Sequence, residues 1–247
     1  MMYLKLKAKD IYAKVKFWMF LKITKTLWLS LGENCLSDSI LERHGLKSFS
    51  TIYSNGRSNI DYALFLERTN YTNLLITDNL KYDILNNIKV VRSTFVIDCD
   101  PIFLDLQMNG FEFTHHDVIG NKEHLESYKR KIQRQLKFRK KKNFIFLYHH
   151  RVNENSDFRL LCKKLYDFSR FYTAKNHFCE IIVFSQNIVK DIGDRKITYS
   201  RINDAVHFFN LLTLRNWDGD GDDFWAKNDS DLIQQLMQQA QLIATRN

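Results

Sequence analysis

Two short stretches of this 247-residue chain are apolar almost throughout, which is the pattern of strands buried on both faces of a sheet. They are residues 143–148 (NFIFLY) and residues 180–185 (EIIVFS), and an amphipathic helix separates them, with Leu161, Leu165 and Phe168 on one face. Strand, helix and strand in this order are typical of a parallel sheet. The sequence therefore predicts an α/β fold with three layers, in which a mostly parallel sheet carries helices on both faces.

The composition of the chain changes at about residue 25. Residues 1–25 alternate lysines with apolar positions such as Ile11, Val15 and Trp18, which predicts a basic amphipathic helix. Such a helix suits an anionic membrane surface, and packing on the rest of the protein is the alternative. Residues 26–247 are expected to form a single α/β domain.

The location of the protein is predicted from what the sequence lacks. No run approaches the roughly 20 apolar residues of a transmembrane helix, and lysines interrupt any secretory signal. The four cysteines are scattered, which suits a reducing compartment. We therefore expect a cytoplasmic protein, with peripheral contact at the inner face of the membrane through residues 1–25.

Charge and spacing limit the partners and cofactors. The net charge is +9, and much of it lies in residues 1–25 and 129–142. Because no aromatic or polar reader residues accompany the second run, nucleic acid is not an expected partner. The cysteines have no metal-ligand spacing, and Asp218, Asp220 and Asp222 lack the glycine and glutamate of a calcium loop. No metal or bound cofactor is expected.

A candidate nucleophile follows the first predicted strand. Apolar residues lead to Gly32, and Glu33, Asn34 and Cys35 then precede a helical pattern that stops at Gly45. Unpaired N–H groups and the positive end of the helix dipole favour a thiolate at such a position. A small buried cysteine at a strand–helix junction is the alternative.

Three histidines are candidates for the catalytic base. His149 and His150 directly follow the apolar strand at residues 143–148, and His116 follows a short predicted strand. Reactive residues in α/β sheets gather beyond the carboxyl ends of the strands, so Cys35 is expected near one of them. His116 and His150 are the leading candidates, and Asp117 would orient His116.

Other polar residues are candidates for substrate binding. Asn34 would donate to an oxyanion beside the helix N-terminus. Arg57 precedes a helix predicted over residues 59–68, where a guanidinium favours an anion. The remaining candidates are His149, Arg151 and Trp217.

Several motifs resemble those of a bacterial family described as putative papain-like cysteine peptidases, the domain of unknown function 1796. The segment SLGENC…LERHGLKSFS is similar to the family's opening motif S-L-G-x-N-C. Similar stretches include GFEFTHHD, YKRKIQRQL, FIFLYHHR and a W-D…W segment at Trp217, Asp218 and Trp225. The resemblance covers about residues 26–237 and departs at residues 51–54 (TIYS), where many members have P-F-D-W.

The resemblance implies that Cys35 is the nucleophile, His116 the base and Asp117 its orienting carboxylate. It also implies a link with capsule or surface-polysaccharide biosynthesis and a small-molecule or saccharide substrate, with acyl-CoA as a candidate donor. We therefore expect a cysteine-nucleophile acyl-transfer enzyme, either a hydrolase or an acyltransferase. The alternative is a non-catalytic binding protein for an anionic nucleotide, a CoA-like ligand or a polysaccharide.

Overall fold

A mostly parallel main sheet lies at the centre of the fold. The computed structural model describes residues 12, 15–85, 87–95, 98–217 and 226–245. The strands of the main sheet are β1 (Thr26–Gly32), β5 (Asn143–His150), β6 (Cys179–Ile188), β7 (Lys196–Arg201) and β8 (Val206–Thr213). Their spatial order is β1-β5-β6-β8-β7, and all are parallel except β7, which runs antiparallel to β8. The predicted α/β class is confirmed.

Helices cover both faces of this sheet. Phe144 and Phe146 of β5 point to one face, and Ile145 and Leu147 point to the other, so each face has its own apolar core. The first core includes side chains of α3 (Ile60–Arg68), α5 (Lys122–Phe138) and α6 (Phe158–Ser169), and the second those of α2 (Leu36–Arg43) and α7 (Ser230–Thr245). The predicted three-layer arrangement is confirmed.

The sequence patterns predicted strands over residues 89–98 and 111–114 but missed two features of the fold. The first is a separate antiparallel sheet formed by β2 (Leu80–Leu85), β3 (Ile88–Ser93) and β4 (Glu112–Phe113), and the short helix α4 (Asp105–Met108) lies between its last two strands in sequence. The second is β8, whose apolar run is interrupted by His207 and Asn210. These two side chains bond to Tyr199 of β7 and Asn187 of β6, so they belong to the sheet rather than to a loop.

The N-terminal segment is helical over residues 15–23, here named α1, and one face of this helix packs on the protein. Leu21 is fully buried, and the Trp18 ring lies 6.1 Å from that of Phe138 in α5. The opposite face exposes Val15, Met19 and Ile23, which are 51%, 62% and 79% accessible. Packing on the rest of the protein and contact with a membrane surface, the two alternatives for this segment, therefore concern different faces of one helix.

The basic run at residues 129–142 is partly committed to contacts within the chain. The Lys137 ammonium lies 4.2 Å from the centre of the Trp18 ring, and Arg139 pairs with the buried Glu67 at 2.9 Å. Lys142 donates to two backbone carbonyls in residues 22–24. Among the described residues, none of the helices combines the length and hydropathy that crossing a bilayer requires.

The end of β1 depends on a glycine. Gly32 has φ +146°, a backbone conformation that side-chain-bearing residues rarely adopt. A Cβ at this position would lie 3.3 Å from Cδ2 of Tyr148 and 3.4 Å from the backbone nitrogen of His149. The close approach of β5 therefore adds a second restriction to that of the dihedral angle.

Replacing Gly32 tests this constraint. We expect Gly32→Ala to lower the free energy of unfolding by about 1–3 kcal/mol, because it adds both backbone strain and a close contact. Urea denaturation would measure the change. Gly193→Ala is the matched control, since no atom lies within 4 Å of its added Cβ. Equal effects of the two substitutions would contradict the expectation.

Candidate active site

The carboxyl ends of β1 and β5 lie side by side. In the parallel register Gly32 of β1 pairs with His149 of β5. The turn formed by Glu33, Asn34 and Cys35 follows Gly32 directly, so it lies beside the two histidines that end β5. The sheet thus brings together residues separated by more than a hundred positions, as the topology argument predicts.

The two adjacent histidines point to opposite faces of the sheet. His149 lies on the face of α2 and α7, where its ring stacks on Phe184 at 4.8 Å and contacts Trp217 at 5.7 Å. His150 lies on the other face, where its ring meets the edges of Phe103 and Phe158 at 6.2 and 5.6 Å. Because α2 begins directly after Cys35, His149 is the histidine that shares its face.

Asn34 connects the cysteine turn to His149. Its Oδ1 accepts a hydrogen bond from the backbone N–H of Leu36 at 3.0 Å, which orients the amide group. Its Nδ2 then lies 3.2 Å, and its Oδ1 3.4 Å, from Nδ1 of His149. Asn34 can therefore donate to the unprotonated Nδ1 or accept from the protonated one, so it supports both tautomers of the ring.

The environment of His149 favours its neutral form. Burial lowers its pKa to about 3, and the positive charge of Arg151 acts in the same direction. At neutral pH the ring is thus an uncharged base.

A buried carboxylate holds the other histidine. Glu33 Oε1 accepts hydrogen bonds from the Tyr148 hydroxyl at 2.9 Å and from Nδ1 of His150 at 2.7 Å. Its Oε2 accepts from the backbone N–H of Arg151 at 2.8 Å. The Nε2 of His150 faces the Ser156 hydroxyl at 3.1 Å. Asn155 or Ser156 was expected to cap the helix that follows, but its N-cap is Asp157. No sequence pattern predicted a role for Glu33, although a carboxylate in the turn before Cys35 was an available signal.

Cys35 lies at the start of α2. It is the N-cap residue, is partly exposed, and its carbonyl accepts the N–H of Ser39 at 3.0 Å. The four cysteines carry thiols rather than disulfides. The predicted strand, tight turn and helix around Cys35 are thus present, with the helix ending at Arg43 just before Gly45.

The pair His116 and Asp117 follows β4 of the second sheet. His116 contacts the rings of His124 and Tyr128 at 4.8 and 5.4 Å, in a cavity of about 310 Å³ beside the second sheet. The Asp117 carboxylate accepts from the Tyr82 hydroxyl and from the N–H groups of residues 119 and 120, not from His116. Burial is the main cause that lowers the pKa of His116 to about 4.

The carboxylate of Asp117 therefore closes its own turn, because the two backbone N–H groups there need an acceptor. Asp117 therefore does not orient His116, contrary to the expectation. Among the described residues, no three histidine, cysteine, aspartate or glutamate side chains are arranged to hold a metal ion.

The predicted substrate-binding residues Arg57, Trp217 and Arg151 have different surroundings. Arg57 lies 3.3 Å from the buried carboxylate of Glu112, so its charge already has a partner within the chain. Trp217 forms a wall beside His149, and its indole N–H donates to Asp229 at 2.8 Å. Arg151 lies at the end of β5 next to His149. The predictions that fall on Asp218, Asp220, Asp222 and Trp225 lie outside the described residues.

The residues around Cys35 and a sequence match together identify the family of this chain. Cys35 lies at the start of α2, and the preceding Asn34 contacts His149; cysteine, histidine and asparagine are the residue types that papain-like proteases use. Residues 26–191 match the family described as "Putative papain-like cysteine peptidase (DUF1796)". The chain belongs to this family. Searches of curated proteins and of solved structures gave no match.

The lowered pKa of His149 predicts a loss of stability in acid. Its pKa is 6.5 in the unfolded chain and about 3 in the fold, so the unfolded state binds more protons between these values. From about pH 7 to about pH 5 this histidine should reduce the free energy of unfolding by about 2 kcal/mol.

Urea denaturation at both pH values, on the parent and on His149→Gln, measures this contribution. The variant should lose less stability in acid, because its amide does not titrate. An identical loss in both proteins would show that the ring is not the source.

Proposed function

We propose that the protein is a cysteine-nucleophile acyl-transfer enzyme in which Cys35 attacks the acyl carbon and His149 is the base. The observation that carries the proposal is the contact of Asn34 with His149, one residue before Cys35 and on the same face of the sheet. His150 is the weaker candidate, because it faces away from α2 and both of its ring nitrogens already have partners. The family description supports cysteine-based hydrolysis.

The proposed reaction follows from these positions. The Cys35 thiol passes its proton to Nε2 of His149 in the tautomer whose Nδ1–H faces Oδ1 of Asn34. The sulfur then forms a bond to the acyl carbon, and the N–H groups in the first turn of α2 stabilise the oxyanion. The imidazolium returns the proton to the leaving group, which departs and leaves a thioester on Cys35.

The acceptor of the acyl group distinguishes a hydrolase from an acyltransferase. Water attacking the thioester completes hydrolysis, whereas a saccharide hydroxyl completes transfer. We propose a saccharide acceptor in surface-polysaccharide biosynthesis, with acyl-CoA as a donor. This part of the proposal rests on the motif resemblance. The alternative of a binding protein for anions used Arg57, and the pairing of Arg57 with Glu112 weakens it.

Acylation by an activated ester tests the proposal. With p-nitrophenyl acetate, intact-mass analysis should detect an acetyl adduct on the parent protein, and Cys35→Ala should abolish it. His149→Gln should slow acylation by about 10²-fold, the usual contribution of a general base. The matched control is Cys99→Ala. Cys99 is also partly exposed, but burial raises its pKa, so its loss should change little.

Two results would contradict the mechanism. One is an adduct that persists in Cys35→Ala, and the other is an acylation rate in His149→Gln equal to that of the parent.

We also propose that α1 contacts an anionic membrane surface. Val15, Met19 and Ile23 are spaced four residues apart, so they form one stripe on the exposed face of the helix. Lys16 and Lys22 are exposed on either side of this stripe, an arrangement that suits anionic headgroups. This face remains accessible because the helix packs on the protein through Leu21 on its other side.

Vesicle sedimentation tests this contact. The protein should bind phosphatidylglycerol vesicles more than phosphatidylcholine vesicles, and salt should weaken the binding. The double substitution Met19→Glu and Ile23→Glu should remove it. Ile84→Glu is the matched control, since Ile84 is an exposed apolar residue on β2. Equal binding by the double variant and the control would exclude α1 as the contact.

A further inference from the structure

We propose that Ser156, His150 and Glu33 form a second catalytic triad, in which Ser156 is the nucleophile toward an uncharged acyl ester. The triad lies on the face of β5 opposite the side chain of His149. It combines a nucleophile, a base and an orienting carboxylate within hydrogen-bond distance of one another, the relation that defines a serine hydrolase. It is independent of the function proposed for Cys35.

The tautomer of His150 is fixed by its carboxylate partner. Ionised Glu33 only accepts hydrogen bonds, and its Oε1 lies 2.7 Å from Nδ1 of His150. Nδ1 therefore carries the ring proton, and Nε2 presents its lone pair. Ser156 Oγ lies 3.1 Å from this Nε2, within the range for a general base and its nucleophile.

The remaining contacts of Ser156 are compatible with a hydroxyl that donates to His150. The backbone N–H of Asn153 donates to Ser156 Oγ at 2.9 Å, which leaves the hydroxyl proton available. The Oδ1 of Asn153, at 3.1 Å from Oγ, is a competing acceptor. However, this Oδ1 already accepts the N–H of Asn155 at 3.0 Å, whereas the lone pair of Nε2 needs a donor.

The surroundings favour proton transfer to His150. Both Glu33 and His150 are fully buried, and Phe103 and Phe158 flank the imidazole ring. In such a low-dielectric environment the Glu33 carboxylate strongly stabilises a neighbouring imidazolium. The hydrogen bonds from Tyr148 and Arg151 keep the carboxylate in place. The pair is thus prepared to take the Ser156 proton.

A substrate can approach Ser156 from the protein surface. Ser156 is partly exposed, and its neighbours Asn153 and Asn155 line a cavity of about 580 Å³. The lining combines apolar side chains such as Phe103 with the acidic Asp105 and Glu154. The cavity therefore suits an uncharged acyl ester and disfavours an anionic one.

The position of Ser156 in the chain also suits a nucleophile. Asp157 is the N-cap of α6, so the serine directly precedes a helix whose first N–H groups have no partner in the helix. The N–H of Leu160 donates to Asp157 Oδ1 at 2.9 Å, and the N–H groups of Phe158 and Arg159 can stabilise a developing oxyanion.

The proposed step conserves protons and electrons. Ser156 Oγ forms a bond to the ester carbonyl carbon while its proton moves to Nε2 of His150, and the carbonyl oxygen becomes an oxyanion. Collapse of this intermediate breaks the bond to the leaving alkoxide, which takes the proton from the imidazolium. Water then attacks the acyl-serine by the same route, releasing a carboxylic acid and restoring the hydroxyl.

An alkyl fluorophosphonate tests the triad, because it phosphonylates activated serines and releases fluoride. The experiment uses the full chain with Cys35→Ala, which removes the other proposed nucleophile, and locates the label by peptide mass spectrometry. We expect the label on Ser156 and none on Ser200, an exposed serine of β7 that serves as an internal control. Ser156→Ala should lose the label.

Glu33→Gln separates a catalytic role from a structural one. It preserves the side-chain volume and most hydrogen bonds but removes the charge, so labelling should slow by at least about tenfold. Circular dichroism and thermal unfolding would establish that each variant is folded, and if Glu33→Gln is not, the labelling result on Ser156 in the Cys35→Ala chain alone decides. No label on Ser156 in that folded chain, or an unchanged rate in folded Glu33→Gln, would overturn the proposal.

Because the test is made without the Cys35 thiol, failure of the triad and failure of the proposed cysteine chemistry give different results. Labelled Ser156 with no acetylation of Cys35 in the parent would support the triad alone. Acetylated Cys35 with unlabelled Ser156 would support the cysteine mechanism alone and would assign Glu33 to holding the turn.

Discussion

The Glu33 carboxylate is the interaction on which both candidate sites depend. It is fully buried in the turn after β1, and it accepts hydrogen bonds from Tyr148 and His150 of β5 and from Arg151, the residue after the strand. A carboxylate is costly to bury without such partners, so these bonds hold the turn against β5. Asn34 and Cys35 follow Glu33 directly, and their placement beside β5 is a consequence of this anchoring.

The pleat of the main sheet gives the two histidines beside Glu33 different surroundings. Because adjacent residues of a strand point to opposite faces, His149 and His150 enter different cores and acquire different partners. His149 becomes a neutral ring between an amide and aromatic walls, and His150 a ring held between a carboxylate and a hydroxyl. Identical side chains one position apart are thus prepared for different proton transfers by their surroundings alone.

Much of the fold was predictable because its signals are local. The apolar run of β5, the helix patterns and Gly45 fixed the main sheet, its layers and the strand–turn–helix around Cys35. The proximity of the turn before α2 to the β5 histidines was predictable from topology alone, and the contacts of Glu33 and Asn34 show it. Strand β8 was not predicted, because its polar residues are satisfied by neighbouring strands that the sequence does not identify as neighbours.

The choice among histidines was not predictable, since it depends on side-chain direction rather than on position. His116 is adjacent to Asp117 in sequence, but the carboxylate caps its own turn instead of orienting the ring. The partners of His150 are Glu33, 117 positions away, and Ser156, 6 positions away. Of these two contacts, the one across 117 positions exists only because two strands lie in register.

The place of β1 in the strand order has a further consequence. Within the described part of the chain, β1 pairs only with β5, and its other edge has no strand beside it. The loop after α2 covers that edge instead: Ser48 bonds to both backbone groups of Trp28, and the Thr51 hydroxyl donates to the carbonyl of Ser30. The strand that leads to the cysteine is thus closed on both edges, and we expect its amides to exchange more slowly than those of the exposed edge strand β7.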